Sequence, residues 1–224
     1  MNNVTIIKNY LKNLVNRFVN HLKNNKKKIL INYLIFLGVF AVFLLIDQLT
    51  KTLIFHHGDI NTLDLNDTVV MPDGTRKPAE SIYPYVSSEW TNFGLITIRS
   101  IWHRGVTLWE NVNIVLIQVL SAIIFLVTLT SIMFLTEKKK RVYFYIVALA
   151  ILSAGDMGNF LDRCLFKGHV KDWFFFNFIK DRGTLNLADS FIFIGICLFI
   201  ITSAISIIME IASKEKRQKE NPTK

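Results

Sequence analysis

Apolar residues in this chain collect into four long stretches, with most of the charge between them and at the two ends. Ile29 to Ile46 is an 18-residue run whose only clearly polar member is Asn32. Val112 to Leu135 is longer and carries Asn113 and Gln118 near its start. Val142 to Ala154 is too short alone, and the register extends to Leu161 across Asp156 and Asn159. Phe191 to Met209 is the fourth. A membrane span needs about 20 predominantly apolar residues, so the pattern predicts four transmembrane helices. Before the first, Val4, Ile7, Leu11, Leu14, Val15, Phe18 and Leu22 recur at helical spacing with lysines and asparagines between them. That spacing predicts an amphipathic helix lying on the membrane surface. Between the first two spans, residues 55–111 contain the hairpin turn signal Asp73-Gly74 and an alternating stretch from Phe93 to Ile101. These predict a small outer sheet with a strand near 93–102.

The organisation expected is a basic amphipathic segment over 1–28, a four-helix membrane unit over 29–212 enclosing the 55–111 loop, and a basic tail over 213–224. The first span is not a cleaved secretory signal, because its basic flank is too long and no small-x-small site follows.

Composition sharpens this only through its distribution. The 224 residues are 51% hydrophobic and 19% charged, with mean hydropathy +0.36, and segregation of that charge excludes an ordinary soluble enzyme and a disordered chain. The formal net charge of +9 would suit nucleic acid if its lysines and arginines were not so unevenly placed. Residues 1–28 carry seven of them, the turn 137–141 four and the tail from Ser213 five, against four in each of the loops 55–111 and 166–185. The excess sets both termini on the cytoplasmic side and attracts anionic membrane lipids; no nucleic-acid partner is expected. Cys164 and Cys197 form neither a disulfide framework nor a paired metal motif.

The polar residues within the spans are the candidate chemistry, because ionisable groups there are expensive. Asp47 and Lys51 stand four apart on one helix face; for Lys51 the plainer reading, an interfacial salt bridge anchoring the helix end, is preferred. Asp156, Asn159 and Arg163 share a face of the third span, with Asp162 beside them and Gly155 and Gly158 permitting close helix approach. Asp172 precedes an aromatic run, Trp173 to Phe176, and Asp189 follows Asn186 at the start of the fourth span. Singly, each reads as a solvated acid or a helix cap. Together they sit at one membrane boundary, where an out-and-back path brings them close. Two adjacent carboxylates share a proton, so one can activate water while the other acts as acid. No zinc motif or serine-nucleophile elbow is present, and neither cofactor nor metal is expected. A transporter remains an alternative, although its polar groups belong near the midplane; a non-catalytic membrane scaffold is the third reading.

Four motifs then resemble a known family: Asp47-Gln48-Leu49-Thr50-Lys51, Gly158-Asn159-Phe160-Leu161-Asp162-Arg163, Gly168-His169-Val170-Lys171-Asp172-Trp173 and Asn186-Leu187-Ala188-Asp189-Ser190. In order and topology they resemble bacterial signal peptidase II, a four-helix membrane aspartic peptidase that removes signal peptides from diacylglyceryl-modified prolipoproteins. The resemblance covers roughly 30–210. It implies Asp172 and Asp189 as catalytic pair, Asn159, Arg163 and Asn186 lining the substrate cleft, and Asp47, Lys51 and Asp162 supporting it. It also implies an outer sheet that cradles the peptide, a flap over the site, a prolipoprotein partner and a chain acting as a monomer. Two departures stand out. Where the family has Asn-x-Gly-Ala-Ala-Phe before the second helix, this chain has His103-Arg104-Gly105-Val106-Thr107-Leu108, so Gly105 matches and His103 replaces the substrate-contacting asparagine. Leu185 stands where the family favours Phe.

Overall fold

A computed structural model describes residues 3–105, 113–137, 139–179 and 183–220. Four of its helices are long and apolar enough to cross a membrane, as the hydrophobic pattern predicts. Helix α1 (Asn3–Ile54) is 52 residues long. The 4–22 segment is helical as its spacing requires, but it runs without a break into the first span instead of forming a separate element. No proline interrupts residues 3–54 and Gly38 is the only glycine there, so nothing in the sequence stops the helix.

Helix α2 (Ile114–Ile132) starts at Asn113, whose side chain accepts a hydrogen bond from Val115 N. It ends three residues short of the expected Leu135. The carbonyls at that end have no partners within the helix, and α1 supplies them. Tyr33 Oη donates to Leu129 O at 2.7 Å, Asn32 Nδ2 to Leu135 O at 2.8 Å and Lys28 Nζ to Thr136 O at 2.8 Å. The one polar residue of the first apolar run thus satisfies a carbonyl just past the end of α2, and it is buried.

Helix α3 (Arg141–Leu165) is the hub. Half of its span is buried inside the protein, against about a tenth for each of the other three, so α1, α2 and α4 (Leu187–Glu220) turn most of their surface outward to lipid. Phe36, Ile132, Val142, Ile146 and Ala150 form the apolar core at one end of the bundle. Toward the other end the helices close up on small residues. A Cβ on Gly155 would collide with Ala188 O of α4, and one on Gly158 with the Asp47 carboxylate of α1.

The region outside the four long helices holds two antiparallel sheets. Strands β1 (Thr68–Val70) and β2 (Arg76–Pro78) form the hairpin predicted by Asp73-Gly74. Gly74 takes φ +80°, and Asp73 Oδ1 accepts from Thr75 N at 2.9 Å. The expected strand near 93–102 is β4 (Ile96–Arg104), flanked by β3 (Thr91–Asn92) and β5 (His169–Phe176) in the order β3-β4-β5. A register shift between Ile98 and Ile101 lets β4 pair Ile98 with Phe174 and Ile101 with Asp172. Trp102 packs with Ile60, Val69, Met71 and Ala79 in a second small core and donates its indole N–H to Gly58 O at 2.9 Å. The flap expected over the site carries no sequence bounds within the 55–111 loop, of which residues 106–111 lie outside the described residues.

Candidate active site

The site begins with a buried ion cluster. Lys51, 1% exposed, lies 2.9 Å from Asp47 Oδ2 and 3.1 Å from Asp162 Oδ2, and both acids are fully buried. The salt bridge with Asp47 expected for Lys51 is present, but the interfacial setting preferred for it is corrected: the pair is buried between α1 and α3. A helical i, i+4 pair is the same in sequence whether its face meets water or protein, and here that face meets α3. The two acids also reach beyond the ammonium. Asp47 Oδ1 accepts from Ala188 N at 2.9 Å, satisfying a first-turn donor of α4, and Asp162 Oδ2 accepts from Lys171 N of β5 at 3.1 Å. Gln48 Nε2 bridges Asp47, Asp162 and Gly158 O. One cluster thus fixes α1, α3, β5 and the start of α4 against each other.

From Lys51 the polarity of the next contacts follows. An ammonium only donates, so Asn159 must turn Oδ1 to Lys51 Nζ, at 3.0 Å. Its Nδ2 then faces Asp189 Oδ1, at 2.8 Å. Asn159 Oδ1 also accepts from Asn186 Nδ2 at 3.1 Å, and the same amide donates to Asp172 Oδ1 at 2.6 Å. Asn186 and Asp189 cap α4 reciprocally: Asn186 N donates to Asp189 Oδ2 at 3.1 Å, and Asp189 N donates to Asn186 Oδ1 at 3.1 Å. This is a capping box built from Asn and Asp. The helix-cap reading of Asp189 holds, and the cap is what aims its carboxylate.

Asp172 and Asp189 line one cavity of about 200 Å³ with Asn159, Arg163, His103, Gly105, Val170, Ile117, Ser121, Asp156 and Ile192. Strand alternation points Asp172 into it, while Lys171 lies over Phe166 on the other side, 4.3 Å from the ring centroid. Asp172 is 3% exposed. Burial and then the charge of Asp189 push its carboxyl well above the usual carboxylate range, against the pull of Lys51 and Asn186. Arg163 Nη2 donates to Gly105 O at 2.8 Å. His103 Nδ1 lies 3.7 Å from Glu80 Oε1, and burial holds its imidazole below the ordinary histidine value despite Glu80 and Asp189.

The structure thus brings Asp172, Asp189, Asn159, Arg163, His103 and Gly105 to one cavity. Asn186 stands behind it, bridging the two acids, and Asp47, Lys51 and Asp162 lie in the cluster that holds that bridge. Sequence reasoning left two contributors unassigned. Gln48 lies inside a quoted motif, but nothing in the sequence shows that it spans two acids. Ser121 is an ordinary polar residue of an apolar helix, yet its hydroxyl donates to Asp156 Oδ1 at 2.7 Å. Among the described residues, no group of three or more histidines, cysteines or acids is placed to hold a metal. Two acids bridged by one asparagine on a shared cavity, with a guanidinium lining it, are groups of the kind that can activate water against a carbonyl.

Comparison with known proteins places the chain in a family. The family model described as "Signal peptidase (SPase) II" matches residues 39–205, well over half of the chain. A lipoprotein signal peptidase of Coxiella burnetii is 31% identical over 88 residues, covering 36% of this chain and 50% of that protein. One of Streptococcus pneumoniae is 33% identical over 85 residues, covering 38% and 54%. The chain spans about half the length of these relatives. In fold it is similar to a bacterial membrane enzyme solved by the in meso method at 2.3 Å, with TM-score 0.53, 23% identity and coverage of 77% of this chain and 88% of that one.

Proposed function

Because this chain belongs to the signal peptidase II family, we propose that it is a membrane aspartic endopeptidase. Its proposed reaction is removal of signal peptides from diacylglyceryl-modified prolipoproteins, by cleavage just before the lipidated cysteine. The observation that carries this reading is the pairing of Asp172 and Asp189 through Asn186 on one cavity. Asp189 accepts N–H donors on both oxygens and serves as the carboxylate base. Asp172, whose carboxyl is held well above its usual range, carries the proton.

Asp189 takes a proton from water as its oxygen adds to the scissile carbonyl carbon, and Asp172 gives its proton to the carbonyl oxygen. The resulting gem-diol collapses: one hydroxyl returns its proton to Asp172, Asp189 passes its proton to the amide nitrogen, and the C–N bond breaks. The products are the carboxyl end of the signal peptide and the free amino group of the lipidated cysteine, with one proton again on the pair. A cavity of about 200 Å³ is below the roughly 300–1,000 Å³ of enclosed ligand pockets. It suits a short stretch of peptide whose acyl chains stay in the bilayer.

The direct test is purified protein incubated with a lipid-modified precursor and with the same precursor unmodified. Release of signal peptide from the modified form is the expected result; cleavage of neither form rejects the reading. In this reading Arg163 orients the substrate through its planar guanidinium, a geometry lysine lacks. Arg163→Lys is expected to lose about tenfold or more in kcat/KM, and full activity in that variant reduces the residue to a bare charge.

His103 acts as a neutral hydrogen-bonding group near pH 7, since its ordinary value of about 6.5 is lowered by burial. One neutral hydrogen bond is worth about 0.5–1.5 kcal/mol, so His103→Ala should slow cleavage roughly two- to twelvefold and His103→Asn less. The wild type should lose rate relative to His103→Asn only below about pH 6.5. Equal rates for all three proteins from pH 5.5 to 8 would leave the histidine without a role.

The proposed location is the cell membrane, with both termini cytoplasmic and the site at the outer face. With Cys164 and Cys197 replaced by serine, Asn66→Cys should react with an impermeant thiol reagent outside intact cells. Ser213→Cys should react only after lysis, and labelling of both from outside contradicts this orientation.

A further inference from the structure

Asp156 is the acid in the cavity to which proteolysis itself gives no task. It lies in α3, three residues before Asn159 and seven before Arg163. At about 1.5 Å rise per residue, that is about 4.5 Å from Asn159 toward the middle of the span, on the side away from Arg163. Ser121 of α2, 7% exposed, donates to Oδ1 at 2.7 Å, while Oδ2 is buried without a hydrogen-bond partner. Both side chains line the same cavity as Asp172 and Asp189. An ionisable side chain at this depth is expensive, and half of its accepting capacity remains unused beside the place where substrate must lie.

Resting on the peptidase reading, we propose that Asp156, steadied by Ser121, is a specificity-determining residue. Its free oxygen accepts a hydrogen bond from a donor-bearing side chain, such as a serine hydroxyl, at the first or second position before the scissile bond. The esters and acyl chains of the lipidated cysteine offer no donor. In the peptidase reading the residues before the scissile bond belong to the bilayer-embedded signal peptide, so they are the ones that would reach a group set from Asn159 toward the middle of the span. A site built around a hydrogen bond rejects the analogue that lacks the donor, because the buried acceptor is then left unpaired.

The experiment uses the full chain in lipid and matched lipid-modified precursors carrying Ser or Ala at each of those two positions. Wild type should prefer the Ser precursor at one position by about tenfold or more in kcat/KM. Asp156→Ala should bring that ratio to within about twofold, chiefly by slowing the Ser precursor. Asp156→Asn, which keeps an accepting carbonyl, should retain part of it. Should Asp156→Ala not fold, Ser121→Ala provides the same comparison with a reduced ratio expected. A wild-type ratio near one, or a ratio unchanged in the variants, overturns the proposal. Equal slowing of both precursors in Asp156→Ala overturns it too, assigning the residue to balancing Arg163. Cleavage without discrimination removes only this subsite, whereas cleavage of neither precursor by wild type removes the peptidase reading with it.

Discussion

Asp172→Asn and Asp189→Asn each abolish cleavage, lowering kcat by at least about 10²–10⁴-fold, the range that a positioned general acid or base supplies. The protein should stay folded. A neutral amide at 172 removes a group whose ionisation burial and Asp189 make costly. The sign of the linkage is explicit: a carboxyl raised in the folded state contributes stability below its unfolded value of about 3.9. That contribution is lost as pH climbs through the raised folded value. The loss grows with pH between those two values, so at neutral pH the wild type is less stable than in acid, and Asp172→Asn should unfold at an equal or higher temperature. The same titration sets the alkaline limb of the wild-type rate profile above the ordinary carboxylate range. A chelator should leave the rate unchanged. Appreciable activity in either variant, or inhibition by chelator that zinc reverses, rejects an aspartic pair.

Lys51→Met is expected to be the most destabilising substitution in the chain. It leaves Asp47 and Asp162, both fully buried, without the ammonium they share, and removing one partner of a buried ion pair costs about 3–5 kcal/mol. Asp162→Asn should be milder, because one carboxylate and one ammonium then remain balanced. Thermal unfolding in detergent, followed for both variants, gives the ordering. If Lys51→Met unfolds no earlier than Asp162→Asn, the ammonium is not what holds the cluster together. Activity should fall in Lys51→Met even at temperatures where it is folded, since Asn159 Oδ1 then loses one of the two donors that fix which way its amide points.

The four spans were legible because lipid demands unbroken apolar runs, and few other environments do. The candidate site was legible as motifs, with Asp172, Asp189, Asn159 and Arg163 all reaching one cavity. What the sequence concealed is how they get there. Trp173, Phe174, Phe175 and Phe176 hide the period-2 alternation of β5, so that strand reads as an aromatic belt rather than as the partner of β4. The pair Asp47 and Lys51 looks the same on a wet face as on a buried one. The N-terminal segment carries the periodicity of a surface helix but no stop signal before the first span, and only the absence of a breaker decides that it continues. Asp156 shares a face with Asn159, and without Ser121 from another helix nothing distinguishes it as half-satisfied.

The cluster around Lys51 also has a consequence for the order of synthesis. Asp47 emerges with the first span, but the N–H that its Oδ1 requires belongs to Ala188, 141 residues later. Until the fourth span enters the bilayer, a charged pair at the end of the first has only provisional partners, and neither Asp189 nor its cap exists. A nascent chain with three inserted spans would therefore hold an incomplete ion cluster and only part of the proposed site. Entry of the last helix would complete both at once, which ties assembly of the proposed active site to the end of membrane insertion.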